Sequence, residues 1–253
     1  MSIKTQPLPY KDGETSLTGF LALDDARSDR RRPGILVVHG GAGLDEHARR
    51  RAVRLAELGF VVFACDMYGD GVAGERQRVM ARVRQFMDDR DTLRRRAQTG
   101  LAIQAAHPEV DGRLAAVGYC FGGMTVLELA RGGVDLAGVV SVHGSLQTPS
   151  PAEPGSINTK VLVCHGALDP HVPIPQVSAF IEEMNRAGAD WQLIAYGGAI
   201  HGFTHEDATS ETTPGVAYHA PTDARCWIAM GTFFREIFGA TTKDTMDTMQ
   251  RLW

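Results

Sequence analysis

A chain of 253 residues, 43% hydrophobic and 22% charged with 28 glycines, has an ordinary globular composition and enough length for one α/β domain with a full core. Its formal net charge of -4 carries no basic excess, which excludes nucleic acid as the expected partner. No window approaches the ~18 apolar residues of a membrane span, and the opening MSIKTQPLPYKDGET lacks the apolar core of a secretory signal.

The chain begins with YKDGETSLTGFLAL, where an Asp12-Gly13 turn beside alternating apolar residues predicts a β-hairpin. After the charged loop DDARSDRRRP, short apolar runs alternate with helical patterns, at residues 34–38, 60–64, 114–118, 136–142, 160–164 and 191–196. Unbroken Val, Ile and Leu runs of this length suit parallel strands buried on both faces. Asp45 is the expected N-cap of a helix that runs through Leu58 and stops at Gly59. Leu93, Ala97, Leu101 and Ala105 fall four apart on a second helix, whose Arg94 to Arg96 are expected to point to water. A last helix is expected over 221–238, and the tail beyond it has helical spacing in Met246, Met249, Leu252 and Trp253, expected to pack on its own domain. The tract SLQTPSPAEPGSINT reads as a surface loop. Strand and helix repeated about six times after a hairpin predict one α/β domain over 1–253: a mostly parallel, doubly wound sheet with an N-terminal antiparallel hairpin and helices on both faces.

In such a sheet, ligands sit beyond the carboxyl ends of the strands. Gly118-Tyr119-Cys120-Phe121-Gly122 stands at one such end and spells G-x-C-x-G, the thiol form of the nucleophile elbow. A cysteine is ordinarily a small core residue, but the glycine frame and the strand-to-helix position favour a nucleophile. A helix N-terminus beneath the sulfur supplies partial positive charge that favours thiolate. The chain order nucleophile, acid, histidine then selects Asp169, after the strand in VLVCHGALDPHVP, and His201, after the strand in WQLIAYGGAIHGF. His165 and His171 flank Asp169 and His143 ends another strand, but His201 alone combines that order with Gly-Gly before it and Gly-Phe after it. If His201 is the base, a pH–rate profile should show a group ionising between about pH 5 and 7.5. The oxyanion donors are expected to be the backbone N–H of Phe121 and, from the VVHGGAG loop, that of Gly41. A dinucleotide reading of that glycine cluster lacks G-x-G-x-x-G and an acidic ribose partner.

With these motifs, the chain resembles the dienelactone hydrolase family, α/β-hydrolases whose nucleophile is cysteine. The resemblance runs through ACDMYGDG, VGYCFGGM, HGALDPHVP and YGGAIHGF and covers most of the length. It implies the α/β-hydrolase fold, Cys120 as nucleophile, His201 as base and Asp169 as its orienting acid. It further implies hydrolysis of a small ester or lactone through an acyl-cysteine, with no metal and no organic cofactor.

Two places depart from the family. The glutamate that helps activate the cysteine is replaced by Gly40, and an arginine that holds a substrate carboxylate after the catalytic histidine is replaced by His205. ERQR, with Arg78, is similar to the family's other arginine site, although Arg76, Arg78, Arg82 and Arg84 together read more readily as a solvated helix face. Arg78, His205 and Tyr119 are therefore weaker candidates for substrate contact, and dienelactone itself is disfavoured as the substrate. His201 and His205 are four apart beside Glu206, but H-E-x-x-H is not spelled, so no metal is expected. Four cysteines, Cys65, Cys120, Cys164 and Cys226, without a C-x-x-C pair favour reduced thiols and the cytoplasm. The partner is a small-molecule ester or lactone, with monomer and homodimer both open. The alternatives are a non-catalytic ligand-binding protein on this scaffold, and an acyltransferase or thioesterase on the same triad.

Overall fold

The computed structural model describes residues 2–27, 30–69, 71–73 and 75–239. The expected tail helix through Met246, Met249, Leu252 and Trp253 lies outside the described residues.

The hairpin forms as its pattern requires. Strands β1 (Ile3–Asp12) and β2 (Thr15–Asp24) pair antiparallel in unbroken register from Ile3↔Asp24 to Asp12↔Thr15. The first of the two turn residues between them takes a positive φ, which Gly13 supplies at 58°. β2 then lies antiparallel against β4 (Val61–Cys65), and from there every pairing is parallel: β4 with β3 (Arg32–Val38), β3 with β5 (Val110–Tyr119), then β6 (Gly138–Val142), β7 (Lys160–Gly166) and β8 (Trp191–Tyr196). The result is one 8-stranded sheet in the order β1-β2-β4-β3-β5-β6-β7-β8.

Helices cover both faces. α1 (Glu46–Glu57) and α6 (Ala220–Phe238) pack Ala48, Ala52, Leu55, Trp227 and Phe234 on one side of the sheet. α3 (Arg90–Ala105), α4 (Phe121–Arg131) and α5 (Ile174–Ala187) place Leu93, Ala97, Val126, Leu129 and Phe180 on the other, where α2 (Arg76–Asp88) adds Val79 and Phe86. Asp45 caps α1 as expected, its carboxylate accepting the Ala48 N–H at 3.0 Å, and Gly59 turns the chain out at φ 100°. No helix among the described residues is long and apolar enough to cross a membrane.

One expectation fails inside α3. Arg95 faces outward, but Arg96 is buried, because it stands three residues after Leu93 and one before Ala97, on the core side of the wheel. Its Nε donates to Asp12 Oδ2 at 2.6 Å, Nη1 to the Met67 carbonyl at 2.9 Å and Nη2 to Thr15 Oγ1 at 3.2 Å, stitching the hairpin turn to the helix. Asp12 keeps Thr99 as a donor. Arg96→Met is therefore expected to cost about 2 kcal/mol, less than a fully isolated buried charge, read as a fall of about 5 °C in a thermal unfolding scan. Ala105, at the end of the same helix, is exposed rather than buried.

Candidate active site

The carboxyl ends of β3, β5, β7 and β8 converge on one rim. At the tip of β5 the chain must reverse into α4 within a single residue, and Cys120 takes φ 53°, ψ −111° to do so. This is a strained conformation for a residue with a side chain. It persists because both flanks are locked. The Cys120 N–H is shared between the Val142 carbonyl at 3.0 Å and His143 Nδ1 at 3.2 Å. On the other side, the Met124 N–H bonds the Cys120 carbonyl at 3.2 Å, starting the helix. The two framing glycines admit no side chain: a Cβ at Gly118 would lie 1.9 Å from the Gly122 carbonyl oxygen, and one at Gly122 would lie 2.1 Å from that of Val38.

The sulfur meets its neighbours directly. Cys120 Sγ is 3.1 Å from His201 Nε2, and His201 Nδ1 is 2.8 Å from Asp169 Oδ2. Asp169 spends its second oxygen on the N–H groups of His171 at 2.8 Å and Val172 at 3.3 Å, which fixes the carboxylate in its turn. His201 thus has both ring nitrogens committed, and no group of three or more His, Cys, Asp or Glu among the described residues is arranged to hold a metal ion.

Charge follows from this geometry. Burial opposes ionisation of Cys120, but the charge and hydrogen bond of His201, with the N–H groups of Gly41 and Phe121, outweigh it and hold the thiol below its ordinary value. Burial likewise opposes the imidazolium, yet the Cys120 sulfur and the Asp169 carboxylate push His201 up to about 10. Asp169 is desolvated too, and its bonds to His201 and to the His171 N–H keep it below the usual carboxylate range. Each of these shifts favours the charged form of its group: thiolate, imidazolium and carboxylate.

The glycine-rich loop after β3 is anchored from beneath. His39 Nε2 accepts the Met67 N–H at 3.1 Å, so its proton sits on Nδ1 and is donated to the Gly40 carbonyl at 2.7 Å. Tyr68 donates its hydroxyl to the Gly41 carbonyl at 3.2 Å. With those carbonyls held, the Gly41 N–H faces the sulfur alongside that of Phe121, as the sequence leads one to expect. A Cβ at Gly40 would stand 3.8 Å from the Cys120 Cβ, so a side chain at this position would abut the nucleophile, and here it is bare.

A cavity of about 350 Å³ opens over Cys120. His205 lines it, 3.4 Å from Asp45 Oδ2 and stacked on His47 at 4.8 Å between centroids. Tyr119 borders it but is only 2% exposed, its ring met edge-on by His47 at 5.0 Å. Arg78 stands outside: Val79 and Phe86 form the buried side of α2, so Arg78 projects into solvent, with Glu75 at 2.9 Å. Arg76 and Arg84 are exposed as well, in keeping with a solvated face. His205, Asp207, Ala208, Thr212, Thr213 and Val216 wall this cavity, while Tyr68 and Val72 line a hollow against β2 and Leu146 and Thr148 one against α5.

A buried chain of polar groups beneath the elbow was not legible in the sequence. His143, weighed there only as a rival base, accepts the nucleophile's own N–H and donates from Nε2 to Thr204 Oγ1 at 2.9 Å. The Thr204 hydroxyl donates to His47 Nε2 at 3.2 Å, which also takes the Arg51 Nε–H at 3.3 Å, and Arg51 ends on Asp223 at 2.9 Å. Burial keeps both histidines neutral, with His47 lowered to about 3 by burial and then by Arg51. The one available signal was His47 and Arg51, four apart on a predicted helix.

Known proteins resemble this chain over most of its length. The sequence profile described as the dienelactone hydrolase family matches residues 17–238. A dienelactone hydrolase-like promiscuous phosphotriesterase from metagenomic libraries superposes with a TM-score of 0.89 at 41% identity, over 94% of this chain and 99% of that one. An Escherichia coli O157:H7 protein with the provisional name carboxymethylenebutenolidase is 27% identical over 232 residues, 84% of this chain and 80% of its own. An uncharacterized Caenorhabditis elegans protein is 35% identical over 155 residues, 60% of this chain and 98% of its own.

Proposed function

The chain belongs to the dienelactone hydrolase family, and on that premise we propose that it hydrolyses small carboxylic esters or lactones through an acyl-cysteine on Cys120. The observation that carries this reading is the unbroken contact from Cys120 Sγ to His201 to Asp169, at 3.1 and 2.8 Å. The thiolate attacks the ester carbonyl, and the oxygen that becomes negative is received by the N–H groups of Gly41 and Phe121. The C–O bond breaks as His201 gives its Nε2 proton to the departing alkoxide, leaving a thioester on sulfur and a neutral imidazole. Water then enters, His201 takes its proton, and hydroxide adds to the thioester carbonyl. Collapse expels the acid product and restores thiolate and imidazolium. Asp169 holds the ring and its charge throughout. Four unpaired cysteines favour the cytoplasm as its place of work.

The ion pair divides the pH expectation in two. Acylation needs thiolate and imidazolium together, so kcat/KM should fall on the acid side only as the lowered Cys120 thiol gains its proton, and on the alkaline side as His201 loses its proton at about 10. In the acyl-enzyme the sulfur is uncharged and no longer supports the imidazolium. Deacylation then follows a neutral His201 with a pKa well below that of the free enzyme, and kcat acquires an acid limb of its own. Stopped-flow and steady-state rates with p-nitrophenyl acetate across pH, together with mass spectrometry of the quenched protein, check this. An acetyl group on Cys120 and an alkaline fall of kcat/KM at about pH 10 are expected; an unlabelled Cys120 during turnover overturns the proposal.

A second reading extends the same nucleophile to phosphotriesters. It is favoured by the 41% identical neighbour whose description is a promiscuous phosphotriesterase.

A further inference from the structure

The cavity above Cys120 has a sign. Asp45 and Asp207 line it, and no lysine or arginine among the described residues does. The cations nearby are committed elsewhere. Arg51 is paired with Asp223 at 2.9 Å beneath the elbow. Arg50 reaches Glu206 at 3.2 Å and Asp207 at 3.7 Å, so it partly offsets Asp207 at the outer edge. Asp45 is more secluded, 25% exposed, and receives the Ala48 N–H and the ring of His205. Those bonds outweigh the burial that would favour its neutral form. His47 beside it is neutral. In the catalytic trio the Asp169 carboxylate already faces the His201 imidazolium, so the trio supplies no net positive charge. A carboxylate carried in on a substrate would meet the Asp45 and Asp207 carboxylates and no lysine or arginine, whereas Ala208 and Val216 offer apolar surface to an uncharged chain.

We propose that this site selects esters with uncharged acyl groups and rejects those whose acyl group bears a carboxylate, with Asp45 as the specificity-determining residue. The inference rests on Cys120 as the nucleophile, and it departs from the carboxylate-holding arginines that the family resemblance would supply.

Two esters of equal acyl length test it: p-nitrophenyl methyl adipate, which is uncharged, and mono-p-nitrophenyl adipate, which ends in a carboxylate. In the wild type, kcat/KM for the uncharged ester should exceed that for the anion by about tenfold or more, because like charges approach in a partly desolvated site. The gap should narrow as salt is added. Asp45→Asn keeps an N-cap acceptor for α1 while removing the charge, and the ratio should contract several-fold. Equal rates for the two esters in the wild type, or an unchanged ratio in Asp45→Asn, overturn the proposal. If the wild type releases p-nitrophenol from neither ester, the hydrolase reading itself fails. The charge claim is then decided by alkylation of Cys120: the rate with iodoacetate relative to iodoacetamide should rise several-fold in Asp45→Asn, and a constant ratio overturns it.

Discussion

Cys120→Ala is expected to lower kcat/KM for p-nitrophenyl acetate by about 10⁴-fold or more, with the fold and thermal stability retained. The loss is large because removing the sulfur takes away three things together: the attacking atom, the intermediate that divides the reaction, and the charge that keeps His201 protonated. What remains is the Gly41 and Phe121 donor pair and the cavity, which can still bind an ester and polarise it. Cys120→Ser separates these contributions. A serine hydroxyl stays neutral, so His201 loses the sulfur charge that supports its proton. Its ionisation should then fall toward the ordinary histidine range, so that the acid limb of kcat/KM is set by the imidazole rather than by the thiol. Full turnover in Cys120→Ala, measured on protein shown by mass spectrometry to contain the substitution, would remove Cys120 from the mechanism.

The second large effect is on stability. Gly118→Ala and Gly122→Ala each force a methyl group against main-chain oxygen, at 1.9 Å from Gly122 and 2.1 Å from Val38 respectively. A backbone carbonyl cannot rotate aside as a side chain would, so strand β5, helix α4 and strand β3 would have to separate. Such overpacking is expected to cost about 4 kcal/mol or more, above the usual 1–3 kcal/mol for a core that can adjust. That corresponds to a fall of about 10 °C or more in Tm for a chain of this size, or to loss of soluble protein. Gly41→Ala is the internal control. Its Cβ would meet nothing within 4 Å and its φ is not positive, so it should melt within about 1 °C of the parent. A Gly118→Ala protein that melts with the parent would mean that the elbow is looser than this geometry allows.

The features read correctly from the sequence are those in which spacing along the chain dictates position in space. Unbroken Val and Ile runs located the parallel strands, since only a strand buried on both faces tolerates them. The glycine frame located the elbow, because its steric demand is local to five residues. Asp169 and His201 could be placed beside Cys120 because each follows a strand of a parallel sheet, and all such strands end at the same rim. Where the deciding partner is remote in sequence, the reading failed. Arg96 looks like its neighbours Arg94 and Arg95 until the hairpin turn brings Asp12 to it across 84 positions. Arg78 belongs to an arginine-rich helix, and only the burial of Val79 and Phe86 shows which way that helix faces. The acidic lining of the cavity required His205 and Asp45, 160 positions apart, to meet. His143 was legible as a strand-end histidine, but nothing near it in the sequence indicates that its lone pair belongs to the nucleophile's own amide.

The clasp on the loop after β3 carries a kinetic consequence. His39 and Tyr68 hold the Gly40 and Gly41 carbonyls by hydrogen bonds, so the peptide dipoles proposed to receive the reacting oxygen are set during folding. Water would have to turn its molecules toward a nascent alkoxide as it forms, and that rearrangement is part of the barrier in solution. In the proposed reaction the corresponding dipoles are already aligned when the ester arrives. The stiffness of the central sheet, transmitted through two aromatic side chains, thereby becomes a contribution to rate.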